Sequence, residues 1–182
     1  MYHIFVDLDG VVFDTMGLLC QKLHQPIEKV TQWQCWDQLG ISKQEFYNLI
    51  EGLDMTEATI YEDVPEALRM LSWPRDHYVC YLTSMSPRRA DSAIYALRSL
   101  GLEYPLYQVE RPQDKLNVIA KHENSFLFDD YPYFPYKDSL RLFCVARPWN
   151  MGKLSFLGNV DLMELRKFDI MIERCEDEPR RI

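Results

Sequence analysis

Apolar residues along this 182-residue chain gather in short unbroken runs, and longer stretches with helical spacing separate them. Ile4-Phe5-Val6, Tyr78-Val79-Cys80-Tyr81-Leu82, Ser125-Phe126-Leu127-Phe128 and Arg141-Leu142-Phe143-Cys144-Val145 show no alternation with polar residues. Runs of that kind read as strands covered on both faces, as in a parallel sheet. Leu106-Tyr107-Gln108-Val109 is a shorter candidate. Pro87 to Leu100 reads as a helix stopped by Gly101, and Asp114 caps a helix from Lys115 to about His122. Asp161-Leu162-Met163-Glu164-Leu165 opens a last helix before a polar tail, Glu176–Ile182. Strands alternating with helices predict an α/β fold with a doubly wound parallel sheet, whose ligands bind at the carboxyl edge of the strands.

The stretch from Thr15 to Ser72 breaks this alternation. Its apolar positions (Met16, Leu18, Leu19, Leu23, then Trp33 and Trp36, then Phe46, Leu49 and Ile50) are helical in spacing. Ser42 with Glu45 three residues later forms a capping box, and Pro65 suits the first turn of a further helix. A crossover between parallel strands needs only about a dozen residues, so the excess reads as an insertion. The expected organisation is a core of residues 1–14 and 73–182 with a helical lid at 15–72.

Composition narrows the function. The apolar fraction of 47% is that of a globular protein, and the net charge of −8 disfavours duplex nucleic acid and anionic membranes as partners. Cys20, Cys35, Cys80, Cys144 and Cys175 have no metal-knuckle spacing and are odd in number, which points to free thiols in a reducing compartment. With no leader pattern and no apolar run of membrane-spanning length, a cytoplasmic location is expected. Self-association as a homodimer is left open.

The strands end in polar groups of complementary chemistry: Asp7 and Asp9, Thr83 and Ser84, Asp129 and Asp130, and Arg147 with Asn150, joined by Lys115 at a helix start. Asp7 and Asp9 share one side of the chain, and Gly10 lets the backbone turn at once. Two carboxylates so close call for a cation, and oxygen ligands suit Mg²⁺. Held by Asp7, Asp9, Asp129 and Asp130 and aided by Lys115, Mg²⁺ would screen a phosphate dianion. Asp7 could then attack phosphorus while Asp9 protonates the leaving oxygen, with Thr83 or Ser84 bonded to a phosphate oxygen. Phe13, Trp33 and Trp36 either stack a nucleobase or fill the lid core, and Arg147 either reaches phosphate or bridges carboxylates.

Together, Asp7-x-Asp9-Gly10-Val11, Thr83-Ser84, Lys115 and Asp129-Asp130 resemble motifs I to IV of the haloacid dehalogenase-like phosphatases, across about residues 3–150. The helical insertion after motif I resembles their type 1 cap. More narrowly, Asp114-Lys115, Trp33-Gln34-Cys35-Trp36-Asp37 and Arg147-Pro148-Trp149-Asn150 resemble elements of the 5′(3′)-deoxyribonucleotidases. The resemblance implies Asp7 as nucleophile and Asp9 as acid/base and main-chain metal ligand. It implies Thr83 as phosphate contact, Lys115 (with Lys121 as the alternative) as charge stabiliser, Asp130 as direct Mg²⁺ ligand and Asp129 as a direct or water-bridged one. The implied substrates are small phosphomonoesters, nucleoside monophosphates first. Sugar or metabolite phosphates, or ligand binding without turnover, are the alternatives.

Overall fold

A computed structural model describes residues 1–72, 77–134 and 142–150, and the expected last helix near Asp161 lies outside these. Five strands, β1 (Tyr2–Val6), β2 (His77–Thr83), β3 (Leu106–Gln108), β4 (Ser125–Asp129) and β5 (Leu142–Cys144), form one sheet in the order β3-β2-β1-β4-β5. Every pairing is parallel. The unbroken apolar runs have the reason expected of them: successive side chains serve opposite faces. Ile4, Val6, Tyr81 and Phe128 lie in one buried cluster, and Phe5, Cys80, Leu82 and Leu127 in another.

Helices supply the other half of each cluster. Val64, Leu68 and Leu71 of α4 (Val64–Leu71) and Ala90, Ala93 and Leu97 of α5 (Pro87–Arg98) join the first, whereas Ile119 of α6 (Lys115–Ile119) joins the second. The chain therefore changes faces between β3 and β4, where strand addition reverses direction about β1. A right-handed crossover rule demands that change. It opens a crevice at the carboxyl ends of β1 and β4, the place where such sheets bind ligands. The register Val6↔Phe128 and Val6↔Tyr81 sets Asp7 between the ends of β4 and β2.

Between β1 and β2 lie α1 (Thr15–Lys22), α2 (Trp36–Leu39), α3 (Lys43–Gly52) and α4. Asp14 caps α1 by accepting from the Gly17 amide, and Ser42 caps α3 by accepting from the Glu45 amide, which is the Ser42 half of the expected capping box. The segment leaves and rejoins the sheet through two crossing stretches. Asp14 N donates to Thr59 O at 2.8 Å and Tyr61 N to Val12 O at 3.1 Å, with Phe13 bridging Ile60 in antiparallel fashion.

Several ends differ from expectation for local reasons. The α6 helix is shorter than the apolar spacing predicts, and a 3-10 turn at Pro112–Asp114 precedes it. Asp114 makes no side-chain cap because its carboxylate is bonded to Arg111. Cys20, Cys35, Cys80 and Cys144 are free thiols. Among the described residues, no helix is long and apolar enough to cross a membrane.

Leu68 is fully buried between α4 and the sheet, so Leu68→Ala removes contacts that cannot re-form. We expect it to lower unfolding free energy by about 2–5 kcal/mol in urea titration, and a loss under half that would mean α4 is not part of the core.

Candidate active site

Three carboxylates and one ammonium converge in the crevice. Asp7 follows β1, Asp129 ends β4, Asp130 follows it, and Lys115 opens α6. Lys115 is only 1% exposed, and its Nζ lies 2.7 Å from both Asp7 Oδ2 and Asp129 Oδ2. The other oxygens of these acids are also engaged: Asp7 Oδ1 accepts from the Leu8 amide and Asp129 Oδ1 from the Tyr131 amide, each at 2.8 Å. Asp130 Oδ2 accepts from Trp149 Nε1 at 2.8 Å. Asp130 Oδ1 is the exception. It is buried and accepts no hydrogen bond from the described residues.

Asp7, Asp129 and Asp130 each present an oxygen, and these three oxygens lie within 4.8 Å of one another. Among the described residues, three ionised carboxylates against the Lys115 ammonium would leave two negative charges in a buried space. An orphaned carboxylate oxygen inside an uncompensated, all-oxygen cluster is what a hard divalent cation would satisfy. The residues fit a metal, and the group would be Asp7, Asp129 and Asp130.

Electrostatics of these side chains express the same imbalance. Burial pushes the Asp7 carboxyl up to about 7; Lys115 opposes this, and Asp129 adds to it. Burial, followed by the charges of Asp129 and Asp7, raises Asp130 well above the carboxylate range. For Lys115, burial acts downward, but Asp129 and Asp7 outweigh it and hold the ammonium above its ordinary value.

Asp9 stands apart. Its carboxylate lies outside the three-acid cluster and receives Arg89 in bidentate fashion, Nη1 to Oδ2 at 3.0 Å and Nη2 to Oδ1 at 2.6 Å, together with the Thr15 hydroxyl. The expectation of Asp9 as a metal ligand therefore cannot be met by its carboxylate in this arrangement. Only the main-chain carbonyl, which the family resemblance implied, remains for that role. Gly10 has φ +69°, and a Cβ there would sit 2.0 Å from Asp130 Oδ2, so a bare backbone is required for Asp130 to reach the cluster.

The remaining expected residues divide. Ser84 borders the cavity described below; Thr83 is buried at the end of β2, its hydroxyl accepting from the Met85 amide. Lys121 is exposed, so the ammonium in the cluster is that of Lys115. Two placements need correction. Phe13 does not face the cavity; it is fully buried, because its backbone forms the crossing that ties the helical segment to the sheet. Arg147 does not face it either. Its guanidinium donates to the carbonyls of Gly10 and Val11 and stacks 3.8 Å over the Tyr61 ring, clamping the loop after β1.

Sequence reading missed Arg89, Thr15 and Trp149 as site residues. Arg89 is 2% exposed and its charge is committed to Asp9. A signal existed: Arg89 falls beside Ala90 and four residues before Ala93, on the buried stripe of α5. For Trp149 only the fold shows its indole N–H aimed at Asp130. Asn150 completes this corner by donating to the Asp130 and Val145 carbonyls.

A cavity of about 430 Å³ adjoins the cluster at Asp130; it is bordered by Asp9, Ser84, Asp130 and Trp149 from the sheet side and by Trp33, Trp36, Phe46 and Tyr47 from the helical segment. Trp33 meets Tyr131 edge-on at 5.4 Å, which closes aromatic contact across the cavity. Trp36, Phe46 and Tyr47 pack on one another on the other side.

No family profile and no curated protein matches the sequence. Solved structures do. A haloacid dehalogenase-like family hydrolase from Xanthomonas campestris is 10% identical with a TM-score of 0.59, over 98% of this chain and 99% of that one. The fold is that of the haloacid dehalogenase-like proteins. A conserved haloacid dehalogenase-like protein of unknown function from Agrobacterium tumefaciens agrees, at 14% identity and a TM-score of 0.60 over 96% of this chain and 99% of that one.

The raised carboxyls fix how metal-free stability varies with pH. Asp7 releases its proton near pH 3.8 when unfolded but near 7 when folded, so the folded state holds more protons between those values. Stability then falls as pH rises through that window. In calorimetry with chelator present, the melting temperature should be higher at about pH 5 than at about pH 8, and Asp7→Asn should flatten the slope. A parent profile that climbs over this range would contradict the electrostatic account.

Proposed function

We propose that the protein is a Mg²⁺-dependent phosphomonoesterase that works through an aspartyl-phosphate, and that its substrates are nucleoside 5′-monophosphates. One observation carries the reading: the buried Lys115 ammonium is shared by two carboxylates, with an orphaned oxygen of a third, Asp130, beside them, and Asp130 borders an aromatic cavity. A cation bound by Asp7, Asp129 and Asp130 would offset the negative charge of ester and carboxylates.

The chain's own groups account for the chemistry. The Asp7 carboxylate attacks phosphorus, forming an O–P bond as the bond to the ester oxygen breaks. Asp9, which borders the cavity, gives that oxygen a proton, so a neutral alcohol departs. The same Asp9 then takes a proton from water, the water oxygen attacks phosphorus, and Asp7 is restored as inorganic phosphate forms. Lys115 steadies the charge on Asp7 and the transferring group throughout. Arg89 and Thr15 orient Asp9, and Trp149 orients Asp130.

A volume of about 430 Å³ suits a ligand of nucleoside size, and rings on both sides of it suit a flat base. The segment at 15–72 acts as the cap that shapes this space, with α4 as its anchor on the sheet. The buried thiols of Cys20, Cys35 and Cys80 suit a reducing compartment such as the cytoplasm.

Turnover of nucleoside monophosphates and of an aryl phosphate, followed by phosphate release, tests the reading. Asp7→Asn and chelation of Mg²⁺ should each reduce the rate by at least about a thousandfold. Wild-type rates in Asp7→Asn would sink the mechanism. Preference for base-free phosphates would sink the nucleotide assignment alone. Independently of turnover, added Mg²⁺ should raise the melting temperature more at about pH 8 than at about pH 5, because protons compete for the same oxygens.

A further inference from the structure

The charges bordering the cavity are unequal in sign. Asp130 belongs to the three-acid cluster, and Asp9 is matched by Arg89 through two hydrogen bonds. That leaves Glu51, at the end of α3, and Glu110, after β3, as carboxylates bordering the same space. Among the described residues, no other lysine or arginine borders it. The walls between these acids are aromatic: Trp33, Trp36, Tyr47 and Tyr131.

We infer that the cavity selects its ester by charge, admitting a single phosphate on a leaving group that is flat and carries no second anion. This rests on the phosphatase reading, since it assigns the one phosphate to the cluster. The cluster answers one phosphate with Lys115 and the cation that its carboxylates would hold. A second phosphate or a carboxylate on the leaving group would lie among aromatic rings, which weaken screening, and would meet Glu51 and Glu110 with no further lysine or arginine among the described residues to answer it. An uncharged base with amino groups meets no such penalty, and its N–H groups can donate to these carboxylates. Sugar bisphosphates, phosphorylated hydroxy acids and nucleoside bisphosphates are the excluded class.

Binding isolates the inference from turnover. Asp7→Asn protein with Mg²⁺ is titrated calorimetrically with adenosine 5′-monophosphate and with adenosine 3′,5′-bisphosphate. The monophosphate should bind roughly ten- to a hundredfold more tightly, and the gap should shrink as salt rises from about 0.05 to 1 M. Glu51→Gln with Glu110→Gln should narrow the gap at low salt by improving bisphosphate binding several-fold. Equal binding in the parent, or a gap the double variant leaves unchanged, overturns the charge selection. Turnover by the unmutated protein separates the two claims. If the monophosphate is hydrolysed while both nucleotides bind alike, the phosphatase reading stands and the selection falls. If neither is hydrolysed while the binding gap and its response to the double variant persist, the reverse holds. Failure of both nucleotides to bind counts against both.

Discussion

The structure turns on a buried charge imbalance. Among the described residues, Lys115 is the one cation paired within the cluster of Asp7, Asp129 and Asp130, in a space almost closed to water. Desolvating three carboxylates for one ammonium is costly, and the protein meets part of that cost by holding protons on Asp7 and Asp130 well above their ordinary range. Such a site is poorly settled by itself and receptive to a divalent cation. Stability has been given up here, and the surrounding packing holds the groups in place.

The sheet explains how. The crevice forms because β1 has neighbours on both sides and the chain reverses its direction of addition about it. Strand ends at such a reversal bring main-chain termini together from distant parts of the sequence. Asp7 and Asp129 are 122 residues apart yet end adjacent paired strands. A second ring of contacts then fixes the side chains: Trp149 and Asn150 hold Asp130, and Arg147 clamps the loop that bears Gly10. These contacts reach the cluster from a single corner after β5.

Much of this was legible along the chain. Unbroken apolar runs predicted strands covered on both faces, and the two clusters on opposite faces of the sheet are their physical counterpart. Acidic pairs placed directly after such runs could be assigned to one sheet edge, because a parallel sheet puts all its strand ends there. Capping at Ser42 was likewise local, resting on a bond between residues three apart. Phe13 and Arg147 were not legible in this way. An aromatic and a guanidinium beside an active-site loop suit either substrate or scaffold, and the choice depends on partners contributed by Ile60 and Tyr61, far along the chain.

The sequence by itself determined the fold class and the chemical character of the strand ends, because both follow from short-range pattern: period, run length and the residue that comes next. Tertiary structure alone decided which acids share an ammonium and which acid is paired elsewhere. Asp7 and Asp9 look equivalent two residues apart, yet one faces Lys115 and the other Arg89. That difference arises from the turn at Gly10 and from the burial of α5, and neither is a property of the residues that it separates.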